Sequence, residues 1–225
     1  MNTATTNDMW STDSYSKPNP SSSALITVDF QNDFCLRDAP AEVPGTREVL
    51  PKVKELVDAY REEERPVVHL VRLYMTDGSN VDLCRRNSVE EGWNPVEPDT
   101  RGAELVDELK FEGWPETDHS KLLDGEYEQL CPNEWIVYKP RWSGFYRTGL
   151  DDFLTRQSID TLVLCGCNFP NCPRTTVYDA TSRNYRVVMA RDATSGTYSR
   201  GLEELRDVGV SVADADEVVD WITSE

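Results

Sequence analysis

The sequence has no long apolar run, which argues against a protein with membrane-spanning helices. No window of the 225 residues approaches the roughly 20 consecutive apolar residues that a membrane-spanning helix needs. Residues 1–23 are rich in Ser, Thr, Asn and Pro and lack the charged-then-apolar order of a secretory signal peptide. We therefore expect a cytoplasmic protein with no membrane partner, in which residues 1–23 form a flexible N-terminal arm.

Positive charge is also scarce. There are 41 acidic residues against 23 basic ones, six of the latter being lysines, and the formal net charge is −18. A field of this sign repels nucleic acid and anionic membranes, so neither is expected as a partner. The acidic residues are dispersed over the predicted helix surfaces. Dispersed acid with little lysine is typical of a protein kept soluble at high salt, where self-repulsion is screened, and we interpret it as a sign of a halophilic host.

Ligands for a metal ion are few. The chain has two histidines, His69 and His119, and Cys165, Cys167 and Cys172 lack a fourth cysteine at a helpful spacing. We therefore expect no metal or iron–sulfur site. His69 lies within a predicted strand, which favours a hydrogen-bonded core histidine over a catalytic one. The six cysteines are expected to be reduced, because the chain is neither short nor secreted in character.

The apolar pattern predicts a single Rossmann-like domain over residues 24–225, with three α/β/α layers. Six short apolar runs alternate with amphipathic helices, which favours a mainly parallel six-stranded sheet with right-handed crossovers. The connection 74–100 is long and polar, and we expect it to form a lid or an interface between subunits. The predicted strands cover 24–29, 66–73, 135–138, 161–165, 186–190 and 210–212, and the main helices cover 45–65, 150–157, 173–184, 200–208 and 215–222.

Three residues with useful chemistry follow predicted strands. Asp29 ends the first strand, Lys139 follows the third, and Cys172 comes after a tight turn beyond the strand at 161–165. Ligands of parallel sheets bind beyond the carboxyl ends of the strands, so we expect the three side chains to meet there. Pro173 suits the first position of a helix, which would put Cys172 at the helix cap, where the helix dipole favours a thiolate.

Together these residues could cleave an amide. A thiolate attacks a carbonyl carbon, a carboxylate takes the thiol proton and returns it to the leaving nitrogen, and an ammonium stabilises the anionic intermediate. The backbone N–H groups of Cys172 and of the Asn168 region could bind the oxyanion. Each residue also has a structural alternative: Asp29 as a helix cap, Lys139 as a solvated strand end, and Cys172 as an inert buried thiol.

The chain resembles the isochorismatase-like cysteine hydrolases in three motifs. Residues 28–34, Val-Asp-Phe-Gln-Asn-Asp-Phe, look like the family's Asp-x-Gln-x-x-Phe segment, and residues 139–145, Lys-Pro-Arg-Trp-Ser-Gly-Phe, look like its Lys-x-x-x-Ser-x-Phe segment. The stretch 166–176, with Gly-Cys-Asn followed by a later cysteine and threonine, is similar to its nucleophile segment.

This resemblance implies roles for particular residues. It implies Asp29 as general base, Lys139 as catalytic lysine and Cys172 as nucleophile, and a cis peptide bond between Cys167 and Asn168. It also implies a homodimer or homotetramer without a cofactor.

The chain departs from the family pattern in two places. The segment 169–173, Phe-Pro-Asn-Cys-Pro, differs from the family's usual residues on both sides of the nucleophile, which leaves the pocket shape open. Nicotinamidases of the family carry an Asp-x-His metal motif after their second strand, where this chain has Arg72-Leu73-Tyr74. We therefore expect no catalytic metal, and nicotinamide is disfavoured as substrate.

Several residues near the motifs are candidates for the substrate pocket. Arg72 ends the second strand and could bind a carboxylate or a polarised carbonyl through two nitrogens, the alternative being a salt bridge with one of the many acids. For the remaining candidates the alternative is simple packing: Gln31, Phe34, Arg141, Trp142, Phe145 and Phe169.

The expected function is hydrolysis of a small linear amide by a metal-free cysteine hydrolase. An N-carbamoyl, ureido or biuret-like group would be cleaved through a thioester, releasing ammonia or an amine. One alternative is vinyl-ether hydrolysis of the isochorismatase type. Another is a non-catalytic interaction scaffold on the same fold.

The proposed salt adaptation has a direct test. Because added salt screens the mutual repulsion of the acidic surface, the unfolding temperature should rise with potassium chloride concentration. Thermal unfolding followed by circular dichroism over a salt series measures this. A constant or falling unfolding temperature would rule out the halophilic interpretation.

Overall fold

The computed structural model describes residues 10–224, which form a seven-stranded sheet covered on both faces by helices. The strand order is β3-β4-β2-β1-β5-β6-β7, and neighbouring strands are parallel except for the antiparallel pair of β3 and β4. The predicted α/β/α architecture is confirmed. The strands are β1 (Ser23–Val28), β2 (Val67–Val71), β3 (Glu128–Cys131), β4 (Glu134–Tyr138), β5 (Thr161–Gly166), β6 (Arg186–Thr194) and β7 (Ser211–Ala213).

Eight α-helices and three short 3-10 helices occur in the same described range. None of these helices is long and apolar enough to cross a bilayer. The helices are α1 (Asn32–Cys35), α2 (Thr46–Glu62), α3 (Arg86–Glu90), α4 (His119–Leu123), α5 (Leu150–Arg156), α6 (Cys172–Thr181), α7 (Ser199–Asp207) and α8 (Ala215–Thr223).

The two faces of the sheet carry separate cores, because successive residues of a strand point to opposite sides. On β1, Leu25 packs into the core formed with α2 and α8, represented by Leu56 and Val218. The next residue, Ile26, packs into the other core with α5, α6 and α7, represented by Leu154. All six residues of β1 are buried, as expected for the central strand of a parallel sheet.

The carboxyl ends of β4, β2, β1 and β5 lie along one edge of the sheet, and the strand order reverses between β1 and β5. Asp29, Arg72, Lys139 and Cys167 are the residues that directly follow β1, β2, β4 and β5. The backbone N–H groups of Asp29, Lys139 and Cys167 each donate to a carbonyl of a neighbouring strand at 2.9 Å. The sheet thus fixes the start of every loop that leaves this edge, which is where such folds bind ligands.

Strand β3 was not predicted from the sequence. Its four residues, Glu-Gln-Leu-Cys, do not form an apolar run. All four are partly or fully exposed at the edge of the sheet. Because neither face of β3 is buried, the sequence shows neither the alternation nor the continuous apolar run that marks a strand.

Of the arm predicted over residues 1–23, the structure describes residues 10–23, and this part contacts the rest of the domain. The ring of Trp10 stacks on that of Trp221 with centroids 5.0 Å apart. The backbone N–H of Ser11 donates to the hydroxyl of Ser211 at 2.9 Å. The prediction rested on composition, which does not reveal these contacts. The first nine residues lie outside the described part of the chain.

Packing of this segment can be tested by substitution. Trp10→Ala should lower the free energy of unfolding by about 1 to 2 kcal/mol, because it removes the stacked ring pair and its buried area. Tyr15→Ala is the matched control, since Tyr15 is 87% exposed, and should leave stability unchanged. Chemical denaturation measures both variants, and equal stabilities would contradict the packed arm.

Candidate active site

A buried ion pair lies at the carboxyl edge of the sheet. The Nζ atom of Lys139 is 2.9 Å from Oδ2 of Asp29, and the two side chains are 0% and 4% exposed. The other carboxylate oxygen of Asp29, Oδ1, has no hydrogen-bond partner among residues 10–224. An unpaired buried acceptor is costly, so this atom is available to a group that arrives with a proton.

The backbone at Asp29 is held in an unusual conformation. Its φ of 59° lies in the left-handed region, which few residues other than glycine, asparagine and aspartate adopt. Gln31 braces the segment, because its Nε2 donates to the carbonyl oxygens of Arg72 and Ala103, both at 2.7 Å, and its Oε1 accepts from the N–H of Arg72 at 2.7 Å. The Gln31 amide thus joins the segment after β1 to Arg72 and to the loop at Ala103, and Gln31 does not line the cavity described below; its role in substrate binding stays a prediction.

Cys172 is the first residue of α6 and follows a five-residue turn. Asn171 is the N-cap and Pro173 the second helical residue, one position later than predicted. The peptide bond between Cys167 and Asn168 in this turn is cis.

Two contacts hold this turn in place. A Cβ atom at Gly166 would lie 2.7 Å from Cβ of Val28, so only glycine lets the end of β5 approach β1 this closely. The hydroxyl of Thr176 accepts from the N–H of Gly144 at 3.0 Å and donates to the carbonyl of Cys172 at 2.8 Å, which ties the loop after Lys139 to α6.

The Cys172 thiol is protonated at neutral pH. Burial and the neighbouring negative charge of Asp29 raise its pKa to about 12, although Lys139 and Arg72 act in the opposite direction. The sequence-based expectation of a thiolate at the helix start is therefore wrong. Removal of water and the adjacent carboxylate outweigh the two cations and the helix dipole.

Two backbone N–H groups near the thiol are unused. Neither the N–H of Cys172 nor that of Asn168 donates a hydrogen bond within the described part of the chain. Both residues line the cavity described next. Free N–H groups at a helix start favour an anionic oxygen.

A small cavity of about 90 Å³ contains these groups. It is much smaller than the roughly 300 to 1,000 Å³ of pockets for drug-sized ligands, so it admits only a small molecule or the end of one. Its lining residues are Asp29, Phe34, Val43, Arg72, Arg85, Trp142, Cys167, Asn168, Asn171 and Cys172.

Arg72 forms one wall of this cavity and is 2% exposed. Its Nη2 donates to Asp82 and, at 3.0 Å, to the hydroxyl of Tyr74. Its Nη1 has no hydrogen-bond partner among the described residues. The salt-bridge alternative for Arg72 is present through Nη2, and the binding of a carboxylate or carbonyl by Nη1 stays a prediction.

Three further substrate-binding candidates lie outside the lining of this cavity. Arg141 uses its Nη1 on the carbonyls of Asn80 and Pro140 and lies outside the cavity. Phe145 and Phe169 pack into the core on the α5–α6–α7 face, where buried apolar side chains are stabilised by removal from water. Of the predicted set, Arg72, Phe34 and Trp142 line the cavity.

Sequence reasoning missed Val43, Arg85 and Asn171. Arg85 lies in the connection 74–100, whose length was the available signal, but nothing in that stretch indicates which residue faces the site. Asn171 lies in the segment where the chain departs from the family pattern. Nothing in the sequence distinguishes Val43.

The residues after β2 do not fit a divalent cation. Arg72 and Tyr74 occupy the positions of the nicotinamidase metal motif, and a guanidinium repels a cation. Over residues 10–224, no group of three His, Cys, Asp or Glu side chains is arranged to hold a metal ion.

Comparison with known proteins places this chain in a family. Residues 23–217 match the isochorismatase domain. The chain belongs to the isochorismatase family. Its relatives include a probable inactive nicotinamidase of Arabidopsis thaliana, 32% identical over 83% of this chain and 89% of the relative. They also include the N-carbamoylsarcosine amidase of an Arthrobacter species, 25% identical over 88% of this chain and 70% of the relative.

Solved structures agree with this assignment. An isochorismatase family protein from Desulfovibrio vulgaris superposes with a TM-score of 0.76 and 30% identity, covering 89% of this chain and 98% of that one. Relatives in this family are hydrolases named for amide substrates, which supports a hydrolase acting on a C–N bond.

The effect of the Asp29 charge on the pKa of the Cys172 thiol can be tested by substitution. Asp29→Asn should lower the midpoint of thiol ionisation by about 1 to 2 pH units, because it removes the carboxylate that raises the pKa and keeps the two cations that lower it. Asparagine tolerates the left-handed backbone at this position. Thiolate absorbance at 240 nm, taken as the difference from the same protein carrying Cys172→Ala, gives the midpoint.

Asp38→Asn is the matched control, because Asp38 is exposed and also has a left-handed φ, 61°. It should leave the midpoint where it is. An unchanged or higher midpoint in Asp29→Asn would contradict the assigned cause of the raised pKa.

Proposed function

We propose that this protein is a cysteine hydrolase that cleaves the C–N bond of a small linear amide, such as an N-carbamoyl or ureido group, and releases ammonia or an amine. The observation that carries the proposal is that Cys172 and Asp29 line one small cavity and that the Lys139 ammonium is paired with Asp29. A nucleophile, a proton acceptor and a cation are the groups that acyl transfer requires.

In the first half-reaction the sulfur of Cys172 attacks the carbonyl carbon. Because the resting thiol is protonated, its proton must leave as the C–S bond forms, and the unpartnered Oδ1 of Asp29 is the acceptor. The negative charge that develops on the carbonyl oxygen is bound by the N–H groups of Cys172 and Asn168. Asp29 then returns the proton to the leaving nitrogen, the C–N bond breaks, and a thioester remains.

In the second half-reaction water hydrolyses the thioester. Asp29, again a carboxylate, takes a proton from the attacking water, and that proton passes to the departing sulfur of Cys172. Lys139 lies 2.9 Å from Oδ2 of Asp29 and balances the negative charge of its carboxylate. The free thiol and the acid product result. For a ureido substrate the intermediate is a thiocarbamate and the acid is a carbamic acid, which breaks down to carbon dioxide and the second amine or ammonia.

The names of relatives favour this reaction class. N-carbamoylsarcosine amidase and ureidoacrylate amidohydrolase are both named for amide substrates that carry a ureido group. The guanidinium of Arg72 in place of a metal motif separates this site from nicotinamide hydrolysis. Assembly into a homodimer or homotetramer stays a prediction from the family resemblance.

A non-catalytic scaffold is the second candidate. It is favoured by one observation, the relative from Arabidopsis named as probably inactive at 32% identity. Isochorismatase-type vinyl-ether hydrolysis is a third possibility from the sequence, but the 90 Å³ cavity is small for a substrate of that size.

A panel assay tests the proposal. The purified protein should release ammonia from at least one of N-carbamoylglycine, N-carbamoylsarcosine, ureidoacrylate or biuret, and Cys172→Ala should lower the rate at least about 10³-fold, because no other group can form the thioester. Cys84→Ala is the matched control, since Cys84 is exposed and lies outside the cavity lining. It should keep full activity.

The other outcomes separate the candidates. Full ammonia release by Cys172→Ala would exclude the covalent mechanism. Pyruvate from isochorismate without ammonia release would indicate the vinyl-ether hydrolase. No product from any substrate, together with no preferential alkylation of Cys172 by iodoacetamide, would favour the scaffold.

A further inference from the structure

We infer that Arg72 and Arg85 form a two-arginine clamp for a carboxylate, so that the amide substrate of this site is an anionic one, of the ureido-acid class. The inference deepens the proposed function. Its statement about the amide substrate rests on that function. The clamp itself is a binding feature that stands on separate observations.

The first observation is a hydroxyl shared by the two arginines. Tyr74 is fully buried, and its hydroxyl accepts from Nη2 of Arg72 at 3.0 Å and from Nη1 of Arg85 at 2.6 Å. The same hydroxyl donates to Oδ2 of Asp82 at 3.2 Å. One fixed oxygen thus sets the distance between two guanidinium groups that both line the cavity.

The second observation is unused donor capacity in a buried place. Nη1 of Arg72 has no partner among the described residues, and Arg72 is 2% exposed. A buried guanidinium nitrogen without an acceptor is unfavourable. A carboxylate in the cavity would satisfy it and accept from Arg85 as well, in the two-oxygen geometry that guanidinium groups favour.

The third observation is charge balance. Lys139 is paired with Asp29, and Arg72 with Asp82, whose Oδ1 also lies 3.8 Å from Nε of Arg141. No carboxylate among residues 10–224 lies within salt-bridge distance of Arg85. With the Cys172 thiol neutral, the cavity wall therefore carries net positive charge in a chain of formal charge −18. An anionic ligand is the species that balances it.

Aromatic contacts keep Arg85 in position. Its guanidinium carbon lies 4.8 Å from the ring centroid of Trp142 and 5.9 Å from that of Trp93. Stacking on two indoles limits the freedom of a long side chain, so less entropy is lost when it binds a ligand. A carboxylate fixed between the two arginines would orient the other end of a short substrate toward Cys172.

Alkylation of Cys172 tests the clamp without any turnover. Iodoacetate and iodoacetamide form the same bond to sulfur but differ in charge, so the ratio of their rates reports the charge of the cavity. Relative to N-acetylcysteine, Cys172 should react with iodoacetate at least about tenfold more readily than with iodoacetamide. Peptide mass spectrometry measures the rate at Cys172 separately from the other cysteines.

Three variants locate the effect. Arg85→Met should lower the ratio of iodoacetate to iodoacetamide rates about tenfold, and Arg85→Lys, which keeps the charge, should restore part of it. Arg86→Met is the matched control, because Arg86 is the next residue, is exposed and lies outside the cavity lining. It makes the same change in net charge and should leave the ratio unchanged. The clamp would be overturned if the ratio of iodoacetate to iodoacetamide rates were the same in all variants. It would also be overturned if this ratio fell as much in Arg86→Met as in Arg85→Met.

Hydrolysis distinguishes failure of the clamp from failure of the proposed function. N-carbamoylglycine should be cleaved with a higher kcat/KM than its methyl ester, and Arg85→Met should reduce this preference at least about tenfold. A charge effect on alkylation with no hydrolysis of any amide would support the clamp and refute the amidase. Hydrolysis with no preference for the acid, and no charge effect on alkylation, would refute the clamp and leave the amidase standing.

Discussion

The site depends on one buried ion pair, the contact between Lys139 and Asp29. The two residues follow β4 and β1, which are not neighbours but lie on either side of β2. The pair therefore bridges the end of β2, and Arg72, the residue that leaves β2, must lie beside both. Removal of either partner would leave an uncompensated charge away from water, which typically costs about 3 to 5 kcal/mol. The same contact thus joins three strand ends and sets the electrostatics of the cavity.

The neutral state of the candidate nucleophile follows from this arrangement. A carboxylate next to a thiol in a water-poor place cannot leave both groups ionised at modest cost, because like charges in low dielectric repel strongly. The proton therefore resides on sulfur at rest, and the carboxylate keeps its capacity to accept it. This differs from cysteine sites in which a histidine pairs with a preformed thiolate. In the proposed mechanism, proton transfer from sulfur and formation of the C–S bond therefore take place in the same step.

Much of the fold and the positions of the candidate reacting groups at the strand ends could be predicted from the sequence, because both depend on local signals. Strand β1 is a continuous apolar run, and its end is marked by an aspartate. Strand β3 could not be predicted, since an exposed edge strand has no burial pattern. The pKa of Cys172 was wrongly predicted because burial is a tertiary property, which the helix-start signal does not contain. Arg85 was missed for a related reason: only the folded path of the 74–100 connection shows that it reaches the cavity.

The structure separates two tasks along the chain. The candidate reacting groups are attached to the ends of central strands and the start of α6, where the hydrogen bonds of the sheet restrict movement. Asp82 and Arg85 are attached to the 74–100 connection, which lies outside the strands and is joined to their ends by side-chain contacts such as that of Asp82 with Arg72. In the proposed amidase, exchange of Arg85 would alter which molecule is bound, while Asp29, Lys139 and Cys172 keep their positions. The 74–100 connection would then set the selectivity of one scaffold among different small amides.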